Sequence, residues 1–104
     1  MLDKAAAQQR AMQFIMKHWP YSDDEPVILE RATIERDFGW AFHFQSRLAV
    51  EGNKSRRLLG NGVIIVNRQD GSIRQCGTGS RTEDYLAKYA AMTADERRQP
   101  GLLV

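Results

Sequence analysis

The sequence predicts an α+β fold in two layers, with an N-terminal helix packed on a four-stranded antiparallel sheet and a C-terminal helix beside it. Three observations carry this expectation. Apolar residues recur with the helical period of about 3.6 before Pro20. They recur with the strand period of 2 after it, most plainly from Trp40 to Arg47. Finally, Asp70-Gly71, a preferred hairpin pair, separates Gly62–Asn67 from Ser72–Gly77. At 104 residues the chain makes one domain, residues 1–104.

Residues 2–18 read as the first helix. Asp3, Gln9, Arg10, Gln13 and Lys17 gather on one side, leaving Met12, Phe14, Met16 and their apolar neighbours to the core. Pro20 ends the helix, because the residue before a proline is pushed out of helical dihedrals. Tyr21–Pro26 is a polar loop. Val27–Leu29 opens a strand that continues irregularly to Ile34, and Arg36–Gly39 supplies turn residues. Trp40, Phe42 and Phe44 then form one apolar face, with Ala41, His43, Gln45 and Arg47 alternating to the other. The connection from Leu48 to Leu59 is about a dozen residues, long enough to hold a helical turn or a function.

Val63–Val66 is aliphatic on both faces, which predicts a central strand covered on both sides. Asp70-Gly71 is expected in a type I′ turn, since glycine adopts positive φ freely. A helix from about residue 82 presents Tyr85, Leu86, Tyr89 and Ala90 as a stripe. Ser80 with Glu83, and Thr93 with Glu96, both have capping-box spacing. Pro100-Gly101 ends the final turn.

Composition narrows the function classes. Fifteen Lys+Arg against 13 Asp+Glu leave a net charge of +2, which disfavours nucleic acid as a partner. The arginines of the second half have aromatic neighbours that face inward, whereas a single-strand platform needs both on one exposed surface. Cys76 has no partner for a disulfide or a thiolate zinc site. It is expected as a small, half-buried strand residue, with Arg74 on the same strand face as the one hint of reactivity. Ala5-Ala6-Ala7 is stopped by Gln8-Gln9-Arg10, well short of a secretory signal's apolar core. No apolar run approaches the roughly 20 residues of a membrane span. A cytoplasmic protein with no membrane partner is expected.

Catalytic constellations are not legible. His18 and His43 lie in different elements with no carboxylate at ligand spacing, and Ser46 lacks the glycines of a nucleophile elbow. Gly60-Asn61-Gly62 and Gly77-Thr78-Gly79 lack the third glycine of a dinucleotide loop, since Ile65 and Thr82 stand there. No catalytic residue, cofactor or metal site is assigned, and a non-enzymatic protein is expected.

Four segments, in order, resemble the YrhB-type family, also called immunity protein 35. They are Phe38–Ser46, with its Gly39-Trp40 start; Leu59–Val66, containing Gly60-Asn61-Gly62; Asp70-Gly71-Ser72; and Gly77-Thr78-Gly79 followed by Glu83, Tyr85 and Leu86. The resemblance covers roughly residues 27–90. Val63 departs from the family's usual proline, and Asn67 from a frequent aspartate. The resemblance implies a small bacterial cytoplasmic protein that binds and neutralises a cognate toxin of a polymorphic toxin system. The alternative it implies is a chaperone-like factor that protects other proteins under heat stress.

A partner surface follows from the strand alternation. If Trp40 faces the helices, then Ala41, His43, Gln45 and Arg47 form the opposite row, joined by Arg74 and Cys76, with Arg56 and Arg57 on the neighbouring loop. His43, Gln45, Arg47, Arg56, Arg57 and Arg74 are the expected partner contacts, arginine being favoured at interface centres. The competing arrangement has the C-terminal helix or tail cover this face.

Overall fold

A computed structural model describes residues 1–104. Helix α1 (Lys4–Lys17) starts where the Asp3 side chain accepts a hydrogen bond from the Ala6 amide at 2.8 Å. Strands β1 (Pro26–Ile28), β2 (Ile34–Arg36), β3 (Gly39–Phe42) and β4 (Phe44–Ser46) follow. Helix α2 (Arg47–Val50), strands β5 (Ile64–Asn67) and β6 (Ile73–Cys76), helices α3 (Thr82–Ala90) and α4 (Ala94–Arg98), and strand β7 (Gly101–Leu103) complete the chain. The long connection after Leu48 holds α2 and a turn of 3₁₀ helix over Lys54–Arg56.

The α+β class holds, but the sheet is larger than expected and not wholly antiparallel. Five strands lie in the order β2-β3-β5-β6-β7, antiparallel except for the parallel β6–β7 pair. The fifth strand comes from residues after Pro100, where the sequence reading ended the structure. It adds there because the outer edge of β6 is otherwise unpaired: the Gly77 amide donates to the Leu103 carbonyl at 2.8 Å, and Leu103 is buried. The expected strand Trp40–Arg47 is broken at His43. Its second half, β4, leaves the main sheet to pair with β1 in a separate two-stranded ribbon.

The layering also differs. Trp40, Phe42, Ile64 and Val66 pack under α1 against Ala7, Ala11 and Ile15. The alternate residues Ala41, Val63, Ile65 and Cys76 pack on the opposite face against Tyr85, Leu86 and Tyr89 of α3 and against Leu103. The helices therefore cover both faces of the sheet, making three layers rather than two. β5 lies centrally with Ile64, Ile65 and Val66 fully buried, as its doubly aliphatic pattern requires. On α1 the small residues Ala7 and Ala11 let the helix lie close to the sheet, while Met16 is exposed rather than in the core.

Two local expectations are corrected. The β5–β6 connection closes on the Asn67 amide donating to the Ser72 carbonyl at 2.9 Å, a four-residue loop in which only Gly71 has positive φ (75°). A type I′ turn needs positive φ at both central residues, so Asp70 excludes it. At the start of α3 the capping residue is Arg81, without a side-chain bond. Ser80 and Gly79 instead donate their amides to the Tyr85 hydroxyl, which takes the place of the Ser80–Glu83 box. The Thr93–Glu96 box is formed in full.

Candidate partner-binding site

The six residues expected to meet a partner do not share a face. Ala41 and Cys76, which anchored that row, are buried beneath α3. Arg74 faces the same way and is taken up by the chain's own C-terminal segment: its Nε donates to the Gln99 carbonyl and Nη2 to that of Glu96 at 3.4 Å. This is the competing arrangement, in which the C-terminal segment covers the face. His43 stays on Ala41's side, with Nδ1 2.9 Å from the Ala32 carbonyl oxygen. It lines a cavity with Asn61, Gly62, Cys76 and Tyr85. Gln45 and Arg47 are carried off with the β1–β4 ribbon. Arg47 starts α2, where it pairs with Glu51 at 2.9 Å and Glu25 at 3.9 Å.

Candidate reactive groups are similarly engaged. His18 is exposed at the end of α1, its ring edge-on to Phe14 at 5.0 Å. Cys76 is fully buried rather than half-buried, and burial pushes its thiol up to about 11 against the opposing charge of Arg74. No group of three His, Cys, Asp or Glu side chains lies close enough to hold a metal ion. No helix is long and apolar enough to cross a membrane.

The one feature with the chemistry of recognition lies elsewhere, at the end of α1. There Phe14, Trp19, Tyr21, Phe44, Leu58 and Ile64 line an apolar cleft of about 200 Å³. One wall is the end of α1 with residues 19–23, where Trp19 and Tyr21 meet edge to face at 5.5 Å. The other is the 54–59 segment. Arg56 ties the walls together by pairing both guanidinium branches with Asp23 and lying 5.5 Å over the Tyr21 ring. Its hydrogen bond, with its charge, holds the Asp23 carboxyl below the ordinary value.

The cleft is braced from behind. Gln45 accepts from the Leu58 amide at 2.7 Å and donates to its carbonyl at 3.3 Å, fixing the loop that carries Arg56 and Arg57. Asp24, which the sequence gave no reason to single out, is buried in the other wall. It accepts from the Ser46 hydroxyl, the Glu25 amide at 2.8 Å and the Leu48 amide at 3.1 Å. Burial raises its carboxyl, but these hydrogen bonds outweigh burial and leave it below the ordinary 3.8. Trp19 donates its indole N–H to the Asp24 carbonyl at 3.2 Å. The 53–59 segment hangs between Gly52 and Gly60, both at positive φ, and Asn53 caps its short helical turn by accepting from the Ser55 amide.

Of the six predicted contacts, Arg56 and Arg57 line a polar depression that shares Pro20, Tyr21 and Leu58 with this cleft. Gln45 supports it from behind, while His43, Arg47 and Arg74 lie apart. The apolar side chains of the cleft escaped the sequence reading because Phe14, Trp19 and Phe44 fit a core pattern. Only Tyr21 and Leu58, apolar residues stranded in polar loops, carried a legible signal.

The quoted motifs prove to serve the scaffold. Gly39 lies against β5, where a Cβ would overlap the Val66 carbonyl and stand 2.9 Å from the Arg68 amide. Trp40 is buried beneath the Arg68 guanidinium, 4.3 Å from the ring centre. Asn61 donates to the Phe44 carbonyl at 2.8 Å, joining β4 to the loop before β5. No family model matches the chain, and no solved structure matches it. The uncharacterized protein YrhB of Escherichia coli (strain K12) is 35% identical to it over 75 residues, covering 69% of this chain and 77% of that relative. Identity of that level over more than two thirds of the chain means that it belongs to the YrhB-type family.

Proposed function

We propose that this chain is a non-enzymatic immunity protein of the bacterial cytoplasm that binds and neutralises a cognate protein toxin. The observation that carries the reading is the solvent-open apolar cleft at the end of α1, bordered by an arginine-bearing loop. Interfaces of this kind combine an aromatic and aliphatic centre with a polar, arginine-rich rim. The order of the YrhB-type motifs supports the same reading. Co-expression with the adjacent reading frame tests it: the chain should restore growth that the adjacent product arrests and be recovered with it as a complex. Unrestored growth with no complex overturns it.

A second reading, a chaperone-like protective factor, is favoured by apolar side chains outside the cleft, such as Leu59 and Met16 at 85% and 51% exposure. Suppressed heat aggregation of unrelated proteins, without any effect on the neighbouring toxin, would select it.

A further inference from the structure

Resting on the binding reading above, the cleft and its rim narrow the chemistry of what binds. At about 200 Å³ the apolar part is smaller than the roughly 300–1,000 Å³ typical of small-molecule sites, and it suits one anchoring side chain. It runs through Pro20, Tyr21 and Leu58 into a second, polar depression bounded by Asp23, Ser55, Arg56 and Arg57. The charges there are unequal. Arg56 and Asp23 neutralise each other, whereas Arg57 is exposed and takes no part in the protein's ion pairs. Lys54 precedes it on the same loop, and Lys17 adjoins His18 at the other wall, both exposed and equally unpaired. No acidic residue lines the apolar part.

We propose that the cleft receives a segment of the partner protein carrying a bulky apolar side chain beside carboxylates, the ring or branched chain entering between Trp19 and Phe44 and a carboxylate meeting Arg57. Arg56–Asp23 already ties the walls together and Gln45 holds the Leu58 backbone from behind, so binding requires little ordering of the cleft. Arg56 is a positioning residue in this arrangement, and Arg57 sets the preference for acidic sequence.

Trp19 supplies the readout, since it lines the cleft with its indole N–H held by the Asp24 carbonyl, whereas Trp40 is buried beneath Arg68. The ¹⁵N-labelled protein is titrated with a blocked peptide of phenylalanine followed by three glutamates, and with its lysine counterpart. The glutamate peptide should move the Trp19 indole resonance and leave that of Trp40 in place. The lysine peptide should bind at least about fivefold more weakly, the ratio expected from losing about 1 kcal/mol of exposed ion pairing. Arg57→Glu should reverse the order at unchanged melting temperature, and Arg57→Lys should keep it. No movement of Trp19 with either peptide, or equal affinity for both, overturns the proposal. Growth rescue separates this failure from that of the immunity reading: full rescue by Arg57→Glu removes the acidic occupant alone, whereas absent rescue by the unaltered chain removes the reading itself.

Discussion

Gly62 rests directly against the carbonyl group of Cys76. A Cβ at residue 62 would overlap the Cys76 oxygen and stand 2.6 Å from its carbon, a backbone contact that no rotamer change relieves. Gly62→Ala should therefore destabilise the fold by about 2–3 kcal/mol through overpacking. Gly60→Ala, two residues away, meets open space and carries only the cost of positive φ, about 1–2 kcal/mol. Urea denaturation of the two variants checks the order; equal losses would mean that the Gly62 contact relaxes.

Arg74 should behave as a stability residue and leave recognition alone. Its guanidinium holds the carbonyls of Glu96 and Gln99, which lead into β7. Arg74→Ala should cost about 1.5–3 kcal/mol, the range for hydrogen bonds to a charged donor. Hydrogen exchange at the Gly77 amide, which donates to Leu103, should accelerate, while partner affinity stays unchanged.

The carboxylates of Asp23 and Asp24 should give the fold an acid limb. Both lie below the ordinary value of 3.8, so each contributes stability above that value and loses it as pH falls through the lower folded value. The urea midpoint should be level from neutral pH to about 4.5, where the likewise lowered Glu35 and Glu96 begin to lose their contribution. It should fall further below about 3.8 as Asp23 and Asp24 follow. Asp24→Asn should lower the midpoint at neutral pH and make the acid limb shallower. A parallel acid limb in that variant would assign the effect to other groups.

Cys76 should be inert in the folded protein. With the thiol buried and raised to about 11, the thiolate fraction at pH 8 is very small and inaccessible. A chromogenic disulfide reagent should therefore react at the rate of unfolding or local opening. Immediate labelling of the native protein would contradict the burial of β6.

The helices, the central strand and the Thr93–Glu96 cap were legible in the sequence because each rests on local periodicity or spacing. The fifth strand was not: Gly101–Leu103 is a short apolar tail whose parallel partner, β6, lies about 27 residues earlier, and no local pattern encodes that pairing. The break at His43 was hidden for a related reason. Phe44 continues the alternation of Trp40 and Phe42, yet its backbone pairs with Ile28 in another sheet. The candidate site was half legible: Arg56 and Arg57 stood out as charges on a long loop. Trp19 and Phe44 looked like core because burial of a side chain's edge and its service as a cleft wall leave the same period in sequence.

The two glycines that suspend residues 53–59 make that segment an exchangeable cassette. Gly52 and Gly60 both have open space where a side chain would begin, and the short turn between them is capped by its own Asn53. The main attachment to the body runs through the backbone of Leu58 and the side chain of Arg56. Residues 54, 55 and 57 can therefore be rewritten without disturbing a single sheet hydrogen bond, so new binding preferences can be selected from a library on this loop while one scaffold is kept.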